Sequence, residues 1–198
     1  MIVAAIDQGT NTTRLLVGVV DDGRVEELHR ETRITRLGEG VDARRRLLPV
    51  PIARVRNVLS DYRRIAESLG AERTLLVATS AVRDAENGEA FLGEIEWSYG
   101  FVTQLLAGDE EAEMTRRGVG ELDTATLLVD IGGGSTELVM TDGERIAWAV
   151  STEAGSVRLT DDPASDRTDS GPAPRRWSRR GRARPPSPDT ERSARFAA

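Results

Sequence analysis

The sequence contains no cysteine and no lysine. Without a thiol, disulfide frameworks, zinc knuckles, iron-sulfur clusters and thiol nucleophiles are excluded, and redox chemistry is not expected. All 27 basic residues are arginine, which removes a P-loop lysine, a Schiff base and a kinase-type catalytic lysine. The single His29 cannot build a histidine-rich metal site or a pair of imidazole acid/base groups. Aromatic residues make up 4% of the 198, so any core is aliphatic. No apolar run reaches the ~20 residues of a membrane helix, and Met1 opens straight into Ile2-Val3-Ala4-Ala5-Ile6 without a basic leader. A cytoplasmic protein without a membrane partner is therefore expected. Asp, Glu, Arg, hydroxyls and backbone amides remain for chemistry, an inventory that suits phosphate groups and a divalent cation.

A composition of 38% hydrophobic and 30% charged residues suits one or two small domains. The net charge of −6 is uneven: from Asp161 onward nine Arg face six Asp and Glu, a local +3, which leaves −9 on residues 1–160. Ile2 to Ile6 reads as a strand stopping at Asp7-Gln8-Gly9-Thr10-Asn11, and Arg14 to Val20 as a second strand. Asp22-Gly23 turns the chain into a hairpin with Val25 onward. Residues 52–68 place Ile52, Val55, Leu59, Tyr62 and Ile65 or Ala66 on one helical face, with Gly70 beyond the end. Strands over 74–79, near 101–106 and over 125–131 alternate with helices over 84–95 and 109–117. That alternation implies an α/β sheet.

Residues 7–16 (DQGTNTTRLL) align without a gap on residues 130–139 (DIGGGSTELV). Each copy follows a strand, enters another and reaches an Asp-Gly turn, at Asp22-Gly23 and Asp142-Gly143. Two β-loop-β units imply a duplicated architecture. In each loop, glycine lets backbone amides approach a phosphate. Hydroxyls at Thr10, Thr12, Ser135 and Thr136 add donors, and the strand-end Asp7 or Asp130 is placed to hold a hydrated Mg²⁺. One such loop is most simply a turn; two facing copies make a phosphate site. Arg83 offers a bidentate guanidinium for phosphate oxygens.

Gly132-Gly133-Gly134-Ser135-Thr136-Glu137 after Val129-Asp130-Ile131, together with residues 78–87 (ATSAVRDAEN) and 106–112 (LAGDEEA), resembles the exopolyphosphatase and guanosine pentaphosphatase family of the actin-like ATPase superfamily. Leu37-Gly38-Glu39-Gly40-Val41 and Gly155-Ser156-Val157-Arg158-Leu159-Thr160 look like that family's connecting segments. The resemblance covers residues 2 to about 160 and implies hydrolysis of terminal phosphoanhydride bonds of inorganic polyphosphate or guanosine pentaphosphate, with release of orthophosphate. It also implies Mg²⁺ as cofactor and a homodimer in the full-length form. Glu111 then corresponds to the catalytic glutamate that acts on water, with Glu110 as its near neighbour. Glu137 would serve the water or the metal, and Asp7 and Asp130 the metal. Phosphate would lie among Thr10, Asn11, Thr12, Arg83, Gly132, Gly133, Gly134, Ser135 and Thr136.

Each residue also has a plainer reading. Glu110 and Glu111 suit a solvated helix start, Arg83 and Asp84 a local surface ion pair, and Asp7 a turn. The first loop, Gln8-Gly9-Thr10-Asn11-Thr12-Thr13, departs from the family, which more often has a small residue and Ser-type hydroxyls there. The opening Ala5-Ile6-Asp7-Gln8-Gly9-Thr10 also looks like glycerol kinase, which keeps a sugar-kinase-type ATP-binding protein as the alternative.

The expected organisation is an actin-like α/β domain over 1–124, the first hairpin of a second such domain over 125–160, and a disordered tail over 161–198. Six of the eight prolines lie at Pro163 or later, among Arg, Ser, Asp and Gly. The tail lacks interleaved aromatics, so no specific nucleic acid is expected as partner. The abrupt change resembles a shifted reading frame in a GC-rich gene. A C-terminally shortened family member, weakly active or inactive, with apolar residues such as Leu138, Val139, Ile146 and Trp148 exposed on its hairpin, is the resulting expectation.

Overall fold

A computed structural model of the chain describes residues 1–143, 145–161 and 175–177. Strands β1 (Ile2–Gln8), β2 (Thr12–Asp21) and β3 (Arg24–Ile34) come first, followed by the short helix α1 (Val41–Arg44) and the long α2 (Pro49–Ser68). Next are β4 (Arg73–Ala78), α3 (Ser80–Arg83), α4 (Gly88–Tyr99), β5 (Val102–Leu105) and α5 (Gly108–Gly118). A second set follows: β6 (Thr126–Ile131), β7 (Thr136–Asp142), β8 (Arg145–Thr152), α6 (Arg158–Asp161) and β9 (Arg175–Trp177).

The first five strands form one mixed sheet in the order β3-β2-β1-β4-β5. β1-β2 and β2-β3 are antiparallel hairpins, whereas β1-β4 and β4-β5 are parallel pairs joined through helices. The centre of this sheet carries apolar residues toward α2: Ala4, Ile6, Leu15, Val17 and Leu76 pack with Val55, Leu59, Tyr62 and Ala66. The stripe expected on α2 is therefore its buried face, with Ile52 and Ile65 partly buried beside it. Tyr62 reaches through this core to donate to the Thr13 carbonyl at 2.9 Å, and burial pushes its phenol up to about 12.

The helix expected over 84–95 starts only at Gly88 and runs on to Tyr99 as α4, with the separate turn α3 (Ser80–Arg83) before it. Asn87 is not free to cap it, because its side chain accepts from the Leu47 amide at 2.8 Å and donates to the Leu47 carbonyl at 3.1 Å. Gly88 packs so tightly under Val82 that any Cβ there would overlap the Val82 carbonyl. The chain consequently makes the single turn α3, then restarts as α4 at Gly88.

The second sheet runs β6-β7-β8-β9, with every pair antiparallel. Its inner face packs Val139, Ala149, Leu128 and Ile146 on Ala112 of α5. This corrects the expected exposure of Val139, which is 1% accessible; Leu138, Ile146 and Trp148 are half-buried. The exposed apolar row is instead Leu127, Val129 and Ile131, on the outer face of the edge strand β6. Of the tail expected over 161–198, Arg175–Trp177 extend the sheet as β9, contrary to the expectation of no strand there. Apart from Asp161, which ends α6, the rest of that segment lies outside the described residues.

Candidate active site

The repeat seen in the sequence is a repeat in hydrogen bonding. Gly9 donates to the Thr12 carbonyl at 2.9 Å, and its counterpart Gly132 donates to the Ser135 carbonyl at 2.9 Å. Asp7 stands opposite Arg14 in the β1-β2 pair, and Asp130 opposite Glu137 in β6-β7. Two structurally equivalent loops therefore leave the ends of β1 and β6, and they meet. A Cβ added to Gly133 would lie 3.0 Å from the Asn11 Cβ, and one added to Gly134 would lie 2.7 Å from the Thr10 Oγ1. Glycine at both positions lets the two loops approach so closely without displacing a neighbour.

Between and beside the loops lies a cavity of about 160 Å³. Asp7, Thr10, Asn11 and Thr12 line it from the first loop, and Asp130, Gly132, Gly133, Ser135 and Glu137 from the second; Glu111 closes one wall. Ten of the expected site residues are thus gathered in one place. Three are not on its surface. Gly134 is buried beneath Ser80 and Thr10, the Thr136 hydroxyl donates to the Ala154 carbonyl, and Arg83 stands behind Glu111. Arg83 Nη1 donates to the Leu106 carbonyl at 2.8 Å and to Glu111 Oε2 at 3.3 Å.

The plainer readings sort themselves by residue. Glu110 does serve the helix start: its carboxylate accepts from the Ala107 amide at 2.8 Å, across the first turn of α5. Glu111, one position on, faces the cavity instead. Arg83 and Asp84 do not pair with each other, since Arg83 goes to Glu111 and Asp84 to Arg158. Asp7 pairs with Arg14 across the hairpin at 3.2 Å while also lining the cavity. Gln8, the departure from the family pattern, is 1% exposed. It accepts from Thr13 Oγ1 at 2.8 Å and donates to the Gly9 carbonyl at 3.0 Å, so it braces the loop from below.

Four carboxylates share this cavity with one facing guanidinium, that of Arg14. Burial pushes the Glu111 carboxyl up to about 7; Glu137 and Asp130 add to the rise, and Arg83 opposes it. Asp7 is likewise raised, by burial first and Asp130 in addition, against the pull of Arg14. Glu137 is 2% exposed and accepts from Ser151 Oγ at 2.7 Å. Among the described residues, no three Asp, Glu or His side chains are gathered as a metal ligand set. A set of dispersed carboxylates facing an open cavity fits Mg²⁺ rather than a fully protein-caged ion, because Mg²⁺ keeps several waters and binds through one or two carboxylates plus substrate phosphates. No helix among the described residues is long and apolar enough to cross a membrane.

Composition and motif left Thr79, Ser80, Arg14 and Ser156 without a role, yet all four line the cavity. Ser80 Oγ lies 2.8 Å from Thr10 Oγ1. The signal for Arg14 was available in the gap-free repeat, which sets it against Glu137.

The model of the Ppx/GppA phosphatase family matches residues 16–177. Exopolyphosphatase 2 of Mycobacterium tuberculosis is 45% identical over 172 residues, covering 80% of this chain and 54% of that protein. The guanosine-5'-triphosphate,3'-diphosphate pyrophosphatase of Vibrio vulnificus is 31% identical over 167 residues, covering 83% of this chain and 34% of that protein. The crystal structure of an exopolyphosphatase from Cytophaga hutchinsonii superposes with a TM-score of 0.76 at 30% identity, covering 81% of this chain and 53% of that one. The chain thus spans about half the length of such relatives, or less. The fold is shared with the ethanolamine utilization protein EutJ of Carboxydothermus hydrogenoformans, whose crystal structure superposes with a TM-score of 0.51 at 16% identity, covering 81% of this chain and 55% of that one. With the doubled loop, the glutamate at the start of α5 and a family match across both sheets, the chain belongs to the Ppx/GppA phosphatase family.

Proposed function

We propose that this site hydrolyses a terminal phosphoanhydride bond, of inorganic polyphosphate or of guanosine pentaphosphate, and releases orthophosphate. The observation that carries the reading is the position of Glu111: a largely buried carboxylate on the wall of a cavity whose floor is two equivalent glycine loops. The loops are suited to phosphate oxygens, through the amide of Gly133 and the hydroxyls of Thr10, Thr12 and Ser135. Glu111 takes the proton of a water as its oxygen bonds to the terminal phosphorus, and the bridging P–O bond breaks to leave the shortened chain. A carboxyl raised to about 7 suits a general base working near neutral pH. Arg83 holds Glu111 in place from behind, Arg14 is the guanidinium that faces the cavity, and Glu137 on β7 orients the same water. Asp130 with Asp7 or Glu137 would hold Mg²⁺, which when bound shields phosphate charge during attack.

The names of the Mycobacterium and Vibrio relatives support both substrates. A cytoplasmic location and assembly as a homodimer in a full-length form belong to the same proposal. The test is orthophosphate release by the purified protein from polyphosphate and from guanosine pentaphosphate, with Mg²⁺ and with chelator. Release that depends on Mg²⁺ and is abolished by Glu111→Gln is expected. Undiminished release by that variant would overturn the role given to Glu111.

A further inference from the structure

The segment from Gly155 to Arg158 does not line the cavity except through Ser156, yet it holds the loop that does. Ser156 donates its amide to the Gly132 carbonyl at 2.9 Å and its hydroxyl to the same oxygen at 3.2 Å. The amides of Val157 and Arg158 both donate to the Gly133 carbonyl, at 2.9 and 3.2 Å. Gly155 lies so close beneath Gly133 and Gly134 that any side chain there would overlap their backbone. The second glycine loop is therefore seated on this segment through the carbonyls of Gly132 and Gly133.

The segment is in turn anchored to the first sheet's helices by one side chain. Arg158 Nη2 lies 2.8 Å from Asp84 Oδ2 and 3.0 Å from Asp42 Oδ1, and Nη1 lies 3.4 Å from Glu153. Its side chain is 18% exposed and that of Asp84 28%, so this pair is partly sheltered from solvent screening, whereas Asp42 at 48% and Glu153 at 63% stand at the surface. Asp84 directly follows α3, the turn that carries Ser80 against Thr10 and Arg83 against Glu111. One guanidinium thus connects the support of the second loop to the turn that orients the first loop and Glu111.

We propose that Arg158 is a positioning residue, whose ion pairs with Asp84 and Asp42 set the second glycine loop in register against Thr10 and Asn11. Its consequence for ligand binding rests on the reading of those loops as a phosphate site; its mechanical role does not. Without the guanidinium, the Gly155–Arg158 segment keeps its hydrogen bonds to Gly132 and Gly133 but moves with them, away from the first sheet. Lysine supplies a charge without the planar fork and satisfies one carboxylate at a time, so it restores the tie only in part.

The experiment compares the wild type with Arg158→Ala, Arg158→Lys and the pair Asp42→Asn/Asp84→Asn, the last approaching the same tie from the other side should Arg158→Ala fold poorly. Native-state hydrogen exchange reads the tie directly, and calorimetry with inorganic tripolyphosphate and Mg²⁺ reads its effect on binding. Exchange of the Gly132, Ser156 and Val157 amides should rise about tenfold in Arg158→Ala and in the double variant, and less in Arg158→Lys. Amides of β1 and β4 should stay unchanged, and tripolyphosphate affinity should fall about tenfold. Unaltered exchange at those three amides would overturn the proposal, even if the wild type binds tripolyphosphate well. Faster exchange at those amides, in a protein whose wild type binds no tripolyphosphate, would uphold the tie and overturn the phosphate-site reading instead.

Discussion

Arg83 and Glu111 form an ion pair of 3.3 Å in which the same guanidinium nitrogen also donates to the Leu106 carbonyl at 2.8 Å. The carbonyl fixes the cation just beyond β5, and the cation fixes the carboxylate in the first turn of α5. Yet the Glu111 carboxyl is raised, because burial together with Glu137 and Asp130 outweighs what Arg83 gives back. Arg83 therefore acts on its neighbour's proton affinity from behind the cavity wall.

Removing Arg83 takes away the cation that lowers the Glu111 pKa, through its charge and its hydrogen bond. In Arg83→Ala that pKa moves further above about 7, by about one pH unit. The base form needed for catalysis is then populated only at higher pH. The acid limb of the pH profile of phosphate release should shift upward by that amount, with a lower rate remaining on the plateau because Glu111 loses the ion pair that holds it in place. An acid limb that stays in place would show that Glu111 is not the group titrating in the profile.

The same shift has a consequence for stability. The folded-state pKa of Glu111 lies above its unfolded value near 4.5, so the folded protein favours the protonated carboxyl. Its favourable contribution is fully present below pH 4.5 and is lost as the pH rises through about 7. Glu111→Gln is neutral at every pH and escapes that loss. The variant should therefore be more stable than the wild type above pH 7, by about 3 kcal/mol, and the gain should vanish toward pH 4.5. Thermal or urea unfolding over that range checks it, and a pH-independent difference would contradict the burial of an ionising Glu111.

Much of this site was legible from residue order alone. The ten-residue repeat gave both loops, and the structure turns it into equal hydrogen bonds at Gly9 and Gly132. The apolar spacing of 52–68 gave α2 and its inward face, because a period of 3.6 is a property of the sequence itself. What could not be read were choices made by distant partners. Glu110 and Glu111 are chemically identical neighbours, and only the helix phase, set by packing Ala112 against Val139 and Ala149, decides which one faces the cavity. The break before α4 depends on Leu47, forty residues away, taking the Asn87 side chain. Arg158 belonged to a recognisable segment, but its carboxylate partners at 42 and 84 carry no local signal.

The close approach of the two loops is testable by adding a methyl group. A Cβ on Gly133 would stand 3.1 Å from the Asn11 amide nitrogen and 3.1 Å from the Thr10 Cβ, so the loops must part by a few tenths of an ångström. Gly133→Ala should weaken tripolyphosphate binding about tenfold, since misplaced donors lose much of their effect. Gly93→Ala is the control: it lies exposed in α4 with nothing within 4 Å, and alanine there should stabilise the helix by about 0.5–1 kcal/mol without altering binding. Equal affinities for the two variants would mean that the loops do not bind phosphate between them.

The outer face of the second sheet sets a further expectation. Leu127, Val129 and Ile131 alternate along β6 with exposures of 50, 52 and 69%, and β6 is an edge strand whose outward backbone pairs with no other described strand. An exposed, alternating apolar row on an open edge is a template for pairing with another chain. The purified protein should associate in a concentration-dependent way. Val129→Lys should suppress it, because a charge in the middle of the row must be desolvated in any edge-to-edge pairing. Val129 does not line the cavity, so tripolyphosphate binding should be unaffected by the change. Sedimentation velocity at several concentrations distinguishes the cases. If wild type and Val129→Lys sediment alike as monomers at every concentration, the β6 edge is not an adhesive surface. If both associate equally, the contact lies elsewhere on the molecule.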